Sequence, residues 1–257
     1  VGSPSLHLSK TRYLAGLQCP KRLWLSAHAR ELATPTSPAQ QAIFDAGHRV
    51  GRRAQELFPR GVRIEDPSRR HPEALEETRA LLAAPRVPAI FEAVFEHAGV
   101  RVHVDALEKR PSNAFGLREV KASTRVKPEH LPDLAVQRFV LEGAGLRVDS
   151  VELVHVNSEY VRGAAGIDPG ALFRRVELTS ALAPASADVP RRVAEQHAML
   201  AQAEAPEVEP GLHCMQPHAC EFWAHCTRSK PPDWVFHLPR IGARFEDLRA
   251  AGVERMA

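Results

Sequence analysis

Two hydrophobic periods divide this chain. Residues 8–30 open with helical spacing: Ser9 stands at a cap position, Tyr13, Leu14 and Leu17 follow, and Pro20 restarts a turn carrying Lys21, Arg22 and Trp24. After a Pro/Ser/Thr linker ("ATPTSPAQ"), Ile43, Gly47, Val50, Ala54 and Leu57 recur at helical spacing until Pro59 ends the run. Pro72 opens another helix over 72–84 with Leu75, Leu81 and Leu82. At Val87 the period falls to two. "AIFEAVFEH", a turn at Ala98-Gly99, "VRVHVDALEK", a loop through Pro111 and Asn113, and "FGLREVKAS" predict three successive strands. A helix over 132–143, a strand "VDSVELVHVN", a further strand near "LFRRVEL" and a long helix over 189–204 complete the pattern. This order predicts an α/β fold with a mixed central sheet flanked by helices.

Composition narrows the class. The 257 residues suffice for one large domain or two modest ones, with a core that needs no disulfide staples. No apolar run approaches the roughly 20 residues of a membrane span. The opening "VGSPSLHLSKTRYLAG" lacks the apolar centre of a signal peptide, so a cytoplasmic protein without a membrane partner is expected. The net charge is +3, only mildly basic, yet 28 of the 34 basic residues are arginine. The planar arginine fork suits phosphate, and each of the few lysines draws notice.

Candidate chemistry lies in the strands. Asp105 closes the alternating run of Val100, Val102 and Val104. Glu119 and Lys121 stand two apart in "LREVKAS", so they share one strand face while Val120 takes the other. Two carboxylates beside a lysine suit Mg²⁺ or Mn²⁺, hard cations that take carboxylate oxygens and water. Such an ion activates water for phosphodiester hydrolysis, and Lys121 stabilises the developing negative charge. A lone Glu-x-Lys in a strand is usually a surface salt bridge. Here an acid, a loop, Glu-Val-Lys and a helix bearing Gln137 follow one another. Glu92 and Glu96 are further acids on the first strand, without a motif.

Three of the four cysteines, Cys214, Cys220 and Cys226, are five residues apart, while Cys19 lies far upstream. A reducing compartment disfavours disulfides. Structural zinc sites typically use pairs two to four residues apart, and an iron–sulfur cubane accepts looser loops. Spacing alone leaves both open.

"VHVDAL", "REVKAS" and "AVQRFVL" together resemble motifs of the RecB-like branch of the PD-(D/E)XK nucleases, a branch that includes the iron–sulfur nucleases of CRISPR spacer acquisition and of helicase–nuclease repair complexes. The resemblance runs from the helix at 40–58 to the helix at 132–143. It implies a restriction-endonuclease-like core in which Asp105, Glu119, Lys121 and Gln137 are catalytic. Asp105, Glu119 and the Val120 backbone carbonyl would hold Mg²⁺ or Mn²⁺. Leu141 stands where the glutamine motif has tyrosine. Gly51 stands where the first helix has histidine, leaving His48 as a candidate ligand. The resemblance also implies a [4Fe–4S] cluster on Cys19, Cys214, Cys220 and Cys226, a structural clasp joining the N- and C-terminal segments. The wide cysteine spacing departs from the tighter C-x₂-C-x₅-C of many relatives and looks closer to an uncharacterised bacterial subgroup. His213, His218 and His225 are either extra ligands or solvated loop residues.

Lys10, Arg12, Lys21, Arg22 and Trp24 near Cys19, with Arg125 and Lys127 after the Glu-Val-Lys strand, are candidate DNA contacts. A nuclease domain over 1–231 and a connector over 232–257, leading to an adjoining domain, are expected. The implied function is a metal-dependent DNA exonuclease acting on single strands or ends, in repair or anti-phage/CRISPR-type defence, alone or with a partner protein. Two alternatives are a catalytically weak or inactive nucleic-acid-binding module of the same fold and a zinc-stabilised structural or interaction domain.

Overall fold

A computed structural model describes residues 7–68, 70–164 and 166–256. The first six residues of the stretch read for a targeting signal lie outside them. Seven strands form one mixed sheet: β1 (Leu8–Ser9), β2 (Val62–Arg63), β3 (Ala89–His97), β4 (Val100–Arg110), β5 (Ala114–Lys121), β6 (Arg147–Val156) and β7 (Phe173–Glu177). The helices are α1 (Lys10–Gln18), α2 (Pro20–His28), α3 (Pro38–Ala54), α4 (His71–Ala83), α5 (His130–Gly143), α6 (Pro169–Leu172), α7 (Ala183–Leu200), α8 (Trp223–Thr227) and α9 (Arg244–Ala250). Contacts divide the chain into two compact units, residues 7–10 with 37–193, and residues 11–36 with 194–256.

The first unit holds the sheet, in the order β2-β3-β4-β5-β6-β7 with β1 alongside β4. β3, β4 and β5 form the predicted antiparallel meander, β6 joins β5 in parallel, and β7 returns antiparallel. The parallel β5–β6 step needs a crossover, which α5 supplies. α5 packs against β3, β4 and β6 and buries Leu134, Val140 and Leu141 completely. Leu141, at the position expected to hold tyrosine, is therefore core. β1 and β2 are two-residue strands, too short for any period to announce.

α3 is capped by Ser37, whose Oγ accepts the Gln40 N–H at 3.2 Å, and Pro38 occupies its first turn. Its C-terminal half packs against β5, where Val50 and Ala54 meet Val120, Val154 and Phe173. Ile43, placed by periodicity on the same stripe, is 63% exposed, and its neighbour Phe44 is 48% exposed. β5 alternates as expected: Val120 joins that cluster while Glu119 and Lys121 reach Asp133 and Gln137 of α5. Arg118 is fully buried, bound to Glu108 at 2.7 Å and to Ser150 Oγ at 2.9 Å. Gly116 makes room for its guanidinium, since a Cβ there would come within 2.2 Å of Nη2.

In the second unit, residues 232–256, expected as a connector, supply much of an aromatic core. Trp234, Val235 and Phe245 are buried against Trp223, Phe236 and Leu248. Gln18 Nε2 ties the N-terminal helices to the cysteine segment through the carbonyls of His213 (2.8 Å) and His218 (2.9 Å). α7 starts at Ala183, earlier than the predicted 189, with Pro190 inside it. Among the described residues no helix is long and apolar enough to cross a membrane.

Candidate functional site

The pleat and register of three strands align three carboxylates. β3 and β4 pair Phe91 with Ala106 and Ala93 with Val104, so Glu92 stands opposite Asp105. β4 and β5 pair Ala106 with Arg118, so the next step sets Asp105 opposite Glu119. Two local features hold this row. Glu92 takes a φ of 57°, the left-handed region that non-glycine residues seldom occupy. The Val120 N–H donates to Asp105 Oδ2 at 2.7 Å, fixing the second carboxylate by backbone.

Asp133 and Gln137 lie four residues apart on one face of α5 and close over Glu119. Gln137 Nε2 donates to Glu119 Oε2 at 2.7 Å and to Asp133 Oδ1 at 2.9 Å. Lys121 Nζ bridges Glu119 (2.7 Å) and Asp133 (2.6 Å). Lys10, where the chain leaves β1, bridges the same two carboxylates at 2.9 and 3.2 Å. Two lysines thus face two buried acids.

The electrostatics follow from burial. Desolvation opposes the charge of Lys10 and Lys121, but Asp133 and Glu119 outweigh it and hold both above the ordinary lysine range. Burial would push the Glu119 carboxyl up, yet Lys10 and Lys121 hold it well below the usual carboxylate range. Asp105 goes the other way: burial, then the Glu119 charge, push it up to about 7. Glu92 is raised by burial as well. The lysines are spent on Glu119 and Asp133, leaving Asp105 and Glu92 at the open side.

That side is a cleft of about 460 Å³ lined by Glu92, Asp105, Glu119 and Lys121 and, from α3, by Gly47 and His48, among others. The predicted Asp105, Glu119, Lys121 and His48 therefore share one cleft, while Gln137 acts from behind on Glu119. Lys10 and Asp133 belong to the cluster and were not assigned to it from sequence. The scarcity of lysine was a signal for Lys10, which was read instead as a DNA contact. Asp133 lies one turn before Gln137, and no motif pointed to it. Among the described residues no three His, Cys, Asp or Glu side chains are grouped to hold a metal ion. Both Glu119 oxygens accept hydrogen bonds, Oε1 from Lys10 and Lys121 and Oε2 from Lys10 and Gln137.

Cys19, Cys214, Cys220 and Cys226 are all free and line one cavity of the second unit, together with Lys21 and Arg22. Cys19 sits in extended conformation at the N-cap of α2, and the Cys220 N–H donates to the Cys214 carbonyl at 2.8 Å. Burial raises Cys214 and Cys226 and pushes Cys220 up to about 11. Among the described residues the predicted clasp is not drawn together as a ligand cluster. Four thiols on one cavity, with two cations to offset their charge once ionised, are a donor set that fits an iron–sulfur cluster or zinc. His213 Nε2 lies 3.5 Å from Cys214 Sγ.

The predicted DNA contacts fall in both units. Arg22 is tied to Glu221 at 2.8 Å. Trp24 stacks on His28 and donates to the Gln202 carbonyl. Arg125 is exposed, and Lys127 lies 3.8 Å from Glu129.

No protein-family model and no curated protein matches the chain. Among solved structures it matches the crystal structure of SSO0001 at 14% identity, over 80% of this chain and 82% of that one, with a TM-score of 0.35. A likeness this weak carries nothing about the site.

Proposed function

We propose that the chain is a metal-dependent nuclease of the RecB-like PD-(D/E)XK type, hydrolysing phosphodiester bonds of DNA at single strands or ends. One observation carries the reading: Asp105, Glu119 and Lys121 come from adjacent strands to one wall of an open cleft. Asp105, Glu119, the Val120 carbonyl and His48 would hold Mg²⁺ or Mn²⁺. When bound, such an ion supplies an activated water and neutralises charge on the phosphate. The chain's own groups do the rest. Lys121, kept charged by Glu119 and Asp133, stabilises negative charge developing in the cleft. Gln137 and Lys10 fix the Glu119 carboxylate. Val120 N–H orients Asp105 so that its other oxygen is free for the ion.

In the same reading the four cysteines hold a [4Fe–4S] cluster as a structural clasp, whose binding energy becomes folding energy. The protein acts in the cytoplasm on DNA, in repair or defence, with a partner protein or adjoining domain.

The test is cleavage of labelled single- and double-stranded DNA with Mg²⁺ and Mn²⁺ by wild type, Asp105→Ala and Lys121→Ala. Cleavage by wild type alone is expected; equal activity in all three sinks the assignment. A second reading, a nucleic-acid-binding module of the same fold, is favoured by the saturation of Glu119 by two lysines and Gln137. Binding without cleavage in all three proteins would establish it. Iron and zinc analysis of anaerobically purified protein decides the cysteine site, and stoichiometric zinc without iron would replace the cluster.

A further inference from the structure

The cleft has a second wall that the carboxylates do not use. Gly47, His48, Gly51 and Arg52 of α3 line it, with Gln55 at the C-cap of that helix. Their spacing of three and four residues makes one helix face, about 12 Å long at 1.5 Å per residue. A Cβ on Gly47 or Gly51 would meet no atom within 4 Å. Neither glycine therefore serves packing, although each weakens a helix interior relative to alanine. What they leave is open space along the cleft.

Arg63 joins this wall from β2. Gly61 permits the approach of β2 to β3, since a Cβ there would come 2.4 Å from the Phe91 ring. Arg63 is thereby set opposite Phe91, one residue from Glu92. Its Nε is buried without a hydrogen-bond partner, and the Glu65 carboxylate stands 3.6 Å away, beyond hydrogen-bond reach. A buried guanidinium N–H left unpaired is unfavourable unless a ligand completes it. Arg52 is exposed and makes no hydrogen bond or ion pair among the described residues. Two arginines with unused donors thus face a cleft whose other wall holds the acids. Glu65 gives Arg63 only a loose ion pair at 3.6 Å and Glu92 lies near it, while Arg52 has no carboxylate partner among the described residues.

The geometry points to a phosphate-binding subsite on this wall: Arg63 and Arg52 hold phosphates of a nucleic-acid strand whose backbone runs along the Gly47/Gly51 face of α3. The inference rests on the nuclease reading for the identity of its ligand, a phosphodiester backbone. Planar arginine forks match phosphate oxygens, and glycine lets a backbone approach closely.

Binding of a fluorescein-labelled single-stranded oligonucleotide, read by anisotropy in EDTA, tests the subsite without cleavage. Arg52→Ala with Arg63→Ala is expected to weaken binding about tenfold and to lower the slope of log K against log salt by roughly 0.7 per phosphate lost. Arg52→Ala alone, at an exposed position, guards against a folding defect. Gly51→Ala is expected to raise the melting temperature and weaken binding together. Wild-type affinity and salt slope in the arginine variants would overturn the subsite, as would a stabilised Gly51→Ala that binds undiminished. A wild type that does not bind would overturn it too. If the variants weaken binding but no metal supports cleavage by wild type, the subsite stands and the nuclease reading fails. If wild type cleaves and the variants bind and cleave equally, the subsite alone fails.

Discussion

Replacing Lys10 by methionine tests the charge arrangement at the site. Its Nζ lies 2.9 Å from Glu119 and 3.2 Å from Asp133, side chains only 2% and 4% exposed. At an effective dielectric of about 20, each contact is worth roughly 5 kcal/mol before desolvation. Repulsion from Lys121 and dehydration of the ammonium offset much of that. Removing one partner of such a buried set is expected to destabilise the protein by about 3–5 kcal/mol. The pH dependence has a definite sign. Glu119 is held below its unfolded value, so its contribution is full above about pH 4.3 and fades as pH falls through the lower folded value. Lys10 is held above its unfolded value, so its contribution is full below about pH 10.4 and fades only at higher pH. The deficit of the variant therefore shrinks below about pH 4, where its Glu119 takes up a proton, and widens as pH rises through neutrality, because Lys10 also favours the ionised form of buried Asp105. Urea unfolding of the metal-free protein, followed by far-UV circular dichroism across this range, reads the effect. A deficit under about 1 kcal/mol at neutral pH, or one that does not shrink in acid, would refute the reasoning.

Three further outcomes are expected. Gly116→Ala would drive a Cβ to 2.2 Å from the tethered, fully buried guanidinium of Arg118; a loss of about 1–3 kcal/mol in urea melts is expected, and an unchanged midpoint would show that Arg118 can move aside. Asp105, raised to about 7 by burial and Glu119, must lose its proton to take a cation, so Mn²⁺ affinity measured by calorimetry should rise with pH through neutrality and become flatter in Asp105→Asn; equal affinity at about pH 6 and pH 8 contradicts this. Cys220→Ala should lose bound iron, the visible charge-transfer absorbance and thermal stability together, and loss of colour with an unchanged melting temperature would remove the clasp role.

Periodicity made the sheet meander legible because the pleat is a local property. Val100, Val102 and Val104 are all buried on β4, and Glu119 and Lys121 share a face of β5 as their spacing requires. The same rule failed for Ile43, because a helical stripe says nothing of where its partner ends. It was silent on β1 and β2, whose two residues each become strand only through β4 and β3. Arg118, polar in pattern and wholly buried in fact, depends on Glu108 and Ser150 from neighbouring strands.

By itself the sequence determined the long strands β3 to β7, the helices α3, α4 and α5, and the presence of an acid–acid–lysine set on two of those strands, since backbone period and side-chain direction are set within a few residues. Only the tertiary structure decided what each charge meets. Lys10 reaches Glu119 across 109 positions of sequence, Glu92 aligns with Asp105 through strand register, and the α3 arginine wall faces a cleft that no local pattern encodes. Charge pairing acts through space at distances of a few ångströms, and in a folded chain those distances bear no fixed relation to sequence separation.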